Sequence, residues 1–360
     1  MISAALLELG SGVPAGVSIT SDPQSLPLLG IVRTPLRRDD RLELLLLAQP
    51  TRSGRDVILS VPDVLGINGE TQIGLSRANR IMQAGQTDAP PAPAIGECSF
   101  CRTAVQGTRR SALVSDNPRP FGPLLHKVVL SRRHIEGLHE LELEDVADAV
   151  ELFHELGHQQ SAELANSFDG LTIGMNFGEY LKSGASQIHF HYQVAGLGPA
   201  NYNAGDALGA LCRAYRRRHP LVDYLADYER ALRDAGLVIV ENYLALAYAP
   251  ISARFKGEVQ IMLRRPNAGN IMDTTAEERQ ALAALQLDVF QRLDRLSCRA
   301  LNQVWYMTRV SAANDYGQRL IVSICPRSSI IAFYELSGHN VIDTLPWVSA
   351  KLLREAAAVA

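Results

Sequence analysis

His189-Phe190-His191-Tyr192-Gln193 places three polar side chains at a spacing of two, with Ile188, Phe190, Tyr192 and Val194 in the alternate positions. In a β-strand, side chains two apart share a face, so the two imidazoles and the amide lie together and the apolar residues face a core. The loop-like Lys182-Ser183-Gly184-Ala185-Ser186 leads into this strand. Two imidazoles on one strand face suit metal binding, attack on phosphorus, or both. The competing reading is a polar face that merely meets solvent.

Working outward, two segments read alike. Lys127-Val128-Val129-Leu130-Ser131-Arg132-Arg133-His134 is followed by Gly137 and an acidic helical run. Val259-Gln260-Ile261-Met262-Leu263-Arg264-Arg265-Pro266 is followed by Gly269 and a second such run. The offset is 266 − 134 = 132 residues. Adding it to the opening motif takes His189 to Ile321 and His191 to Ser323, within the strand-like Arg319-Leu320-Ile321-Val322-Ser323-Ile324.

Each copy therefore reads as strand, turn, long helix, strands. The helices carry apolar stripes at Leu143, Val146, Val150 and Phe153, and at Leu282, Leu285, Val289, Leu293 and Leu296. Thr274 and Glu277 have the spacing of a capping box. The predicted class is α+β: two tandem repeats, each an antiparallel sheet with one long helix, plus an N-terminal extension. Its expected bounds are 1–95 for the extension, 96–235 for the first repeat and 236–360 for the second. Because His134, His189 and His191 become Pro266, Ile321 and Ser323 in the second copy, the histidines are not needed to form the fold. Chemistry or a metal is the better reason for them.

Gly96-Glu97-Cys98-Ser99-Phe100-Cys101 is a C-x-x-C knuckle. Two thiolates at this spacing grip a tetrahedral zinc, with histidine nitrogens completing the shell. A redox pair is the alternative, but no βαβ context surrounds it. Cys98, Cys101, His134 and His189 are the expected ligands of one structural zinc, since four protein ligands leave no open position. His126, His139, His154 and His158 are other possible ligands, the last two at helical spacing.

A net charge of −3 and a pI near 6.3 give no electrostatic footprint for nucleic acid or an anionic membrane. Arg216-Arg217-Arg218 reads as a solvated helix face. No secretory signal or membrane-spanning run is visible, and five cysteines with one close pair are not a disulfide scaffold. A cytoplasmic protein is expected.

Together these residues resemble the galactose-1-phosphate uridylyltransferase branch of the histidine-triad superfamily. Cys98-x-x-Cys101, His134 and Ser186-x-x-His189-x-His191-x-Gln193 occur in that branch's order. Arg77-Ala78-x-Arg80-x-x-Gln83, Ser115-Asp116-x-Pro118, Asn176-x-Gly178 and Tyr334-Glu335 add to the match, which spans roughly residues 75 to 355.

The resemblance implies a double-displacement nucleotidyl transfer with His191 as nucleophile, aided by Gln193 and Ser186. It implies substrate contacts from Arg77, Arg80, Gln83, Asp116, Asn176, Gly184, Tyr334 and Glu335, and a homodimer. Hydrolases of the superfamily generally carry a third histidine where Gln193 stands. Glutamine is no general acid–base, so transfer or phosphorolysis is expected over hydrolysis. The chain departs from the family pattern at Thr108-Arg109, where a uracil-binding pair is expected, at Ser328-Ser329, where a lysine is, and near Val341. The base and the acceptor therefore stay open. A phosphorylase of dinucleoside polyphosphates or nucleotide sugars is one alternative, and a non-catalytic zinc-stabilised nucleotide-binding protein the other.

Overall fold

The computed structural model describes residues 12–15, 17–21, 28–29, 32–33, 36–38, 41–50, 57–61, 70–73, 98–102, 109–118, 120, 124–178, 180–327 and 339–357. A nine-stranded antiparallel sheet dominates: β1 (Ala112–Asp116), β2 (His126–Ser131), β3 (Gly170–Gly178), β4 (His191–Leu197), β5 (Val238–Glu241), β6 (Ala245–Tyr248), β7 (Val259–Leu263), β8 (Ala300–Tyr306) and β9 (Ile321–Pro326). Its order is β5-β6-β7-β9-β8-β3-β4-β2-β1. Read inward from either side, β1-β2-β4-β3 and β6-β7-β9-β8 have the same connectivity, and the two sets meet where β3 pairs with β8.

Two long helices, α1 (Leu143–Leu164) and α2 (Ala276–Arg295), cover one face. Val146, Val150 and Phe153 of the first stripe are buried, as are Leu282, Leu285, Val289 and Leu293 of the second. Leu296 lies past the helix end and is exposed. The capping box is one residue later than expected. Thr275 is the cap, its hydroxyl accepting from Glu278 N at 3.2 Å while Thr275 N donates to Glu278 Oε2 at 2.9 Å. Thr274 instead donates to the Ile271 carbonyl, closing the preceding turn.

Under these helices the aromatic core runs across the midline of the sheet. Phe153 meets Tyr192 edge-on at 5.1 Å and Trp305 at 5.4 Å, and Phe190 meets Phe290 at 6.1 Å. Phe190 and Tyr192 thus face the helices, as their alternation requires, and His191 and Gln193 face the other side.

The register refines the sequence match. His191 lies opposite Leu130, and Ile321, not Ser323, lies opposite Met262. Since Met262 is Leu130 plus 132, the pairing makes Ile321 the positional counterpart of His191 and Ser323 that of Gln193. One constant offset fails because the chain from Leu130 to His191 spans 191 − 130 = 61 residues and that from Met262 to Ile321 spans 321 − 262 = 59.

A second sheet joins the leading segment to the end of the chain. Arg41–Pro50 pairs with Val17–Thr20, Leu36–Arg38 and Val57–Val61, and Glu70–Ile73 pairs in parallel with His339–Ile342. Within this sheet Val57–Val61 is the strand Val-Ile-Leu-Ser-Val. Among the described residues no helix is long and apolar enough to cross a membrane. Arg216, Arg217 and Arg218 are exposed, in keeping with a solvated helix face.

Candidate active site and metal centre

Cys98 leads into a short 3-10 turn, Phe100–Arg102, that lies on the face of the sheet opposite α1 and α2. Phe100 packs against Leu113, Val128 and Leu130 of β1 and β2, which fixes the knuckle over the strand pair. The ligand atoms of Cys98, Cys101, His134 and His189 lie within 4.8 Å of one another.

The edges of this cluster decide what it fits. Cys98 Sγ is 3.6 Å from His189 Nδ1, and Cys101 Sγ is 3.3 Å from His134 Nδ1 and 3.5 Å from His189 Nδ1. A tetrahedral zinc with its usual sulfur and nitrogen bond lengths has S···N edges of about 3.5 Å. Both histidines present Nδ1 because Nε2 is engaged elsewhere. His189 Nε2 donates to the Ser131 carbonyl at 2.7 Å, and His134 Nε2 meets Glu136 Oε1 at 2.9 Å. Outer partners of this kind set the tautomer and orientation of a metal-binding imidazole. The four residues fit a structural zinc.

His189 is not on the strand proper. β4 starts at His191, and His189 occupies a bend, with Phe190 N bonding Ile135 O at 3.0 Å and Ser131 N bonding Phe190 O at 3.1 Å. The bend turns His189 towards the knuckle while His191 stays on the sheet face. The expectation of three side chains on one strand thus holds for His191 and Gln193 only.

His191 donates from Nδ1 to the His189 carbonyl at 2.7 Å, which leaves the Nε2 lone pair available. Its ring is 3% exposed, with Phe100 edge-on at a centroid distance of 4.7 Å. Burial is the main cause that pushes the imidazole down to about 4, so the ring is neutral near pH 7. Gln193 Oε1 lies 3.2 Å from His126 Nε2, a nitrogen that also sits 3.1 Å from Asn117 Nδ2. The tautomer of His126 selects which amide it serves. The sequence reading offered His126 only as a spare metal ligand. Its place opposite Ala195 on the neighbouring strand, next to Gln193, depends on register and could not be read from spacing.

Extending the β3–β4 ladder by two residues brings Asn176 in line with His191, and Asn176 pairs with Asn302 on β8. Asn302 Nδ2 donates to Asn176 Oδ1 and to Ser183 O, both at 2.7 Å, and Asn302 Oδ1 accepts from Arg327 Nη1 at 2.6 Å. This polar row pins the loop that holds Gly184, at φ +77°, and the exposed Ser186. Nothing in the sequence reading singled out Asn302 or Arg327.

Asp116 ends β1 and pairs with Lys127. Arg109 bonds Glu155 of α1 and lies 3.8 Å from Glu151, so its charge is directed to the helix. His154 and His158 face each other on α1, with Nε2 atoms 3.1 Å apart and away from the knuckle. Burial, first, and then Arg279 lower the affinity of His154 for a proton. His139 lies near Asp294. Arg77, Arg80, Gln83, Thr108, Ser328, Ser329, Tyr334 and Glu335 lie outside the described residues. All five cysteines are free of disulfides.

No family model matches the chain, and no curated protein matches it. Solved structures do. An ADP-glucose phosphorylase from Arabidopsis thaliana with bound ADP-glucose superposes with a TM-score of 0.67 at 18% identity, covering 81% of this chain and 97% of that one. A GalT-like protein from Arabidopsis thaliana gives 0.60 at 17%, covering 69% and 84%. A uridylyltransferase gives 0.61 at 18%, covering 74% and 91%. At these identities the likeness is one of fold, and the chain has the α+β fold of these GalT-like, phosphorylase and uridylyltransferase structures.

Proposed function

We propose that the protein is a nucleotidylyltransferase that passes a nucleoside monophosphate through His191 to a sugar phosphate or similar acceptor. The observation that carries this reading is the His191 Nδ1–H···O=C bond to His189, a residue of the cysteine–histidine cluster. It orients a neutral imidazole with its nucleophilic nitrogen outward. Nε2 attacks the α-phosphorus, the P–O bond to the first product breaks, and that product leaves with the electron pair. An oxygen of the acceptor then attacks the same phosphorus, the N–P bond breaks, and the imidazole is restored.

Gln193 donates to a non-bridging oxygen as charge develops, with its amide set by His126. Ser186 and the Gly184 loop serve the same phosphate, and Asp116 and Asn176 flank the nucleotide. Nucleotide entry requires Phe100 to yield, because its ring lies against His191. Cys98, Cys101, His134 and His189 would hold a structural zinc that ties the knuckle to the bend at His189. The strand symmetry supports reading 96–235 and 236–360 as tandem repeats behind an extension at 1–95, the second copy without the chemistry. A homodimer in the cytoplasm completes the proposal.

Acid quench after mixing with radiolabelled nucleotide sugars and dinucleoside polyphosphates is expected to trap an acid-labile, alkali-stable adduct. His191→Gly should abolish the adduct without loss of metal or fold. Absence of an adduct from every nucleotide tested, in folded protein, rules the proposal out. Phosphorolysis is the second reading, favoured by the extent of the fold likeness to an ADP-glucose phosphorylase. Discharge of the adduct by inorganic phosphate alone would select it.

A further inference from the structure

A cleft of about 480 Å³ opens beside the C-terminal end of α2, between the starts and ends of β8 and β9 and the helix α3 (Pro346–Glu355). It lies within the size range of small-molecule sites. Four cations line it: Lys182, Lys256, Arg299 and Arg327. Among the described residues, no Asp or Glu lines it. Leu293 and Leu352 give it an apolar wall.

Arg327 is the decisive group. Its Nη1 donates to Asn302, its guanidinium stacks on Phe255 at 4.9 Å, and its buried Nε has no partner. Among the described residues no carboxylate pairs with it. The nearby Glu258 is taken by Arg254, at 3.6 Å, and by the Ser323 hydroxyl at 2.6 Å. Lys256 and Arg299 have carboxylates at 3.3 and 3.7 Å, Asp343 and Asp294. A partly buried guanidinium without a counter-charge, in a cleft with cationic walls, favours an anion.

We propose that this cleft is a second ligand site, for a small molecule with a phosphate group and an apolar body. The phosphate is held by Arg327 with Lys256 at the rim, and the body rests on the leucine wall. The site stands apart from phosphate at His191. His191 and Asn302 are separated by two strand spacings, about 10 Å, and Arg327 reaches Asn302 from the far side. The row Arg327–Asn302–Asn176, with the bond from Asn302 to Ser183, links the occupied cleft to the loop at Gly184. The proposal goes beyond the nucleotidyl-transfer reading and does not depend on it.

Isothermal titration of the full-length protein with phenyl phosphate, and with inorganic phosphate, tests it. Saturable binding of phenyl phosphate is expected, tighter than that of inorganic phosphate and unchanged in His191→Ala. Arg327→Gln and Lys256→Glu should each weaken it about tenfold or more, as loss of a charge-assisted contact does. Lys256 is on the exposed rim, so that variant keeps its fold. Phenyl phosphate should also slow alkylation of Cys298, which lines the cleft, as mapped by mass spectrometry. Absence of saturable binding, binding unaffected by Lys256→Glu, or binding lost in His191→Ala would each overturn the assignment.

Discussion

His191 and Gln193 share a sheet face but take different partners, and those partners define their work. The His191 ring is oriented by its own chain through the His189 carbonyl, so its tautomer survives changes elsewhere in the pocket. Gln193 depends on another strand, through His126. Replacing Gln193 with Ala removes one donor to developing charge and should slow nucleotidyl transfer roughly ten- to a thousandfold. Rapid-quench measurement of adduct formation checks this; an unchanged rate would remove Gln193 from the reaction. The pairing of these two side chains was legible from their spacing of two, because a strand forces it. The role of His126 was not, since it reaches Gln193 only through the pairing of β2 with β4.

At the level of elements, the ends of helices and strands carry much of the positioning. Thr275 and Glu278 satisfy donors at the start of α2 reciprocally. Thr275→Ala should cost about 1 kcal/mol in a denaturant titration, whereas Thr274→Ala should leave that capping box intact. Gly178, at the end of β3, has φ +85°, and a Cβ there would sit 1.9 Å from the Arg299 carbonyl oxygen. Both left-handed backbone and the close approach of β8 demand glycine. Gly178→Ala should destabilise by roughly 2–4 kcal/mol and disturb the row from Asn176 to Arg327, read as a lower melting temperature. The helices were recognisable from their apolar stripes, and α2 was misplaced by one residue at its cap. Adjacent threonines followed by adjacent glutamates offer two equivalent boxes, and the approach of the preceding turn selects between them.

Over the whole molecule, the cysteine–histidine cluster joins three remote parts of the chain: the knuckle, the segment after β2 and the bend before β4. Closing such loops costs chain entropy that a metal held by the four residues would offset. Cys98→Ser should therefore reduce zinc from about one per chain to near zero and lower stability by about 3 kcal/mol, the linkage expected when free metal exceeds its dissociation constant a hundredfold. Metal analysis and thermal unfolding, with and without chelator, check both; a variant neutral in both would refute the zinc assignment. The pairing of Glu70–Ile73 with His339–Ile342 likewise joins the leading segment to the last part of the chain.

The chain's own order of residues was enough to nominate the four members of the cysteine–histidine cluster and the α+β class, and the resemblance it carries proposed His191 as the nucleophile. The cluster and the class follow from short-range rules: two thiols at knuckle spacing, alternation along a strand, and helical stripes. Only the folded arrangement placed His126 beside Gln193, turned His189 out of the strand, made Ile321 the counterpart of His191, and set Arg327 beside a cleft in which no carboxylate of the described residues matches it. Each of these depends on register and packing between segments far apart in sequence, where shifting one strand by a residue reverses every side chain it carries.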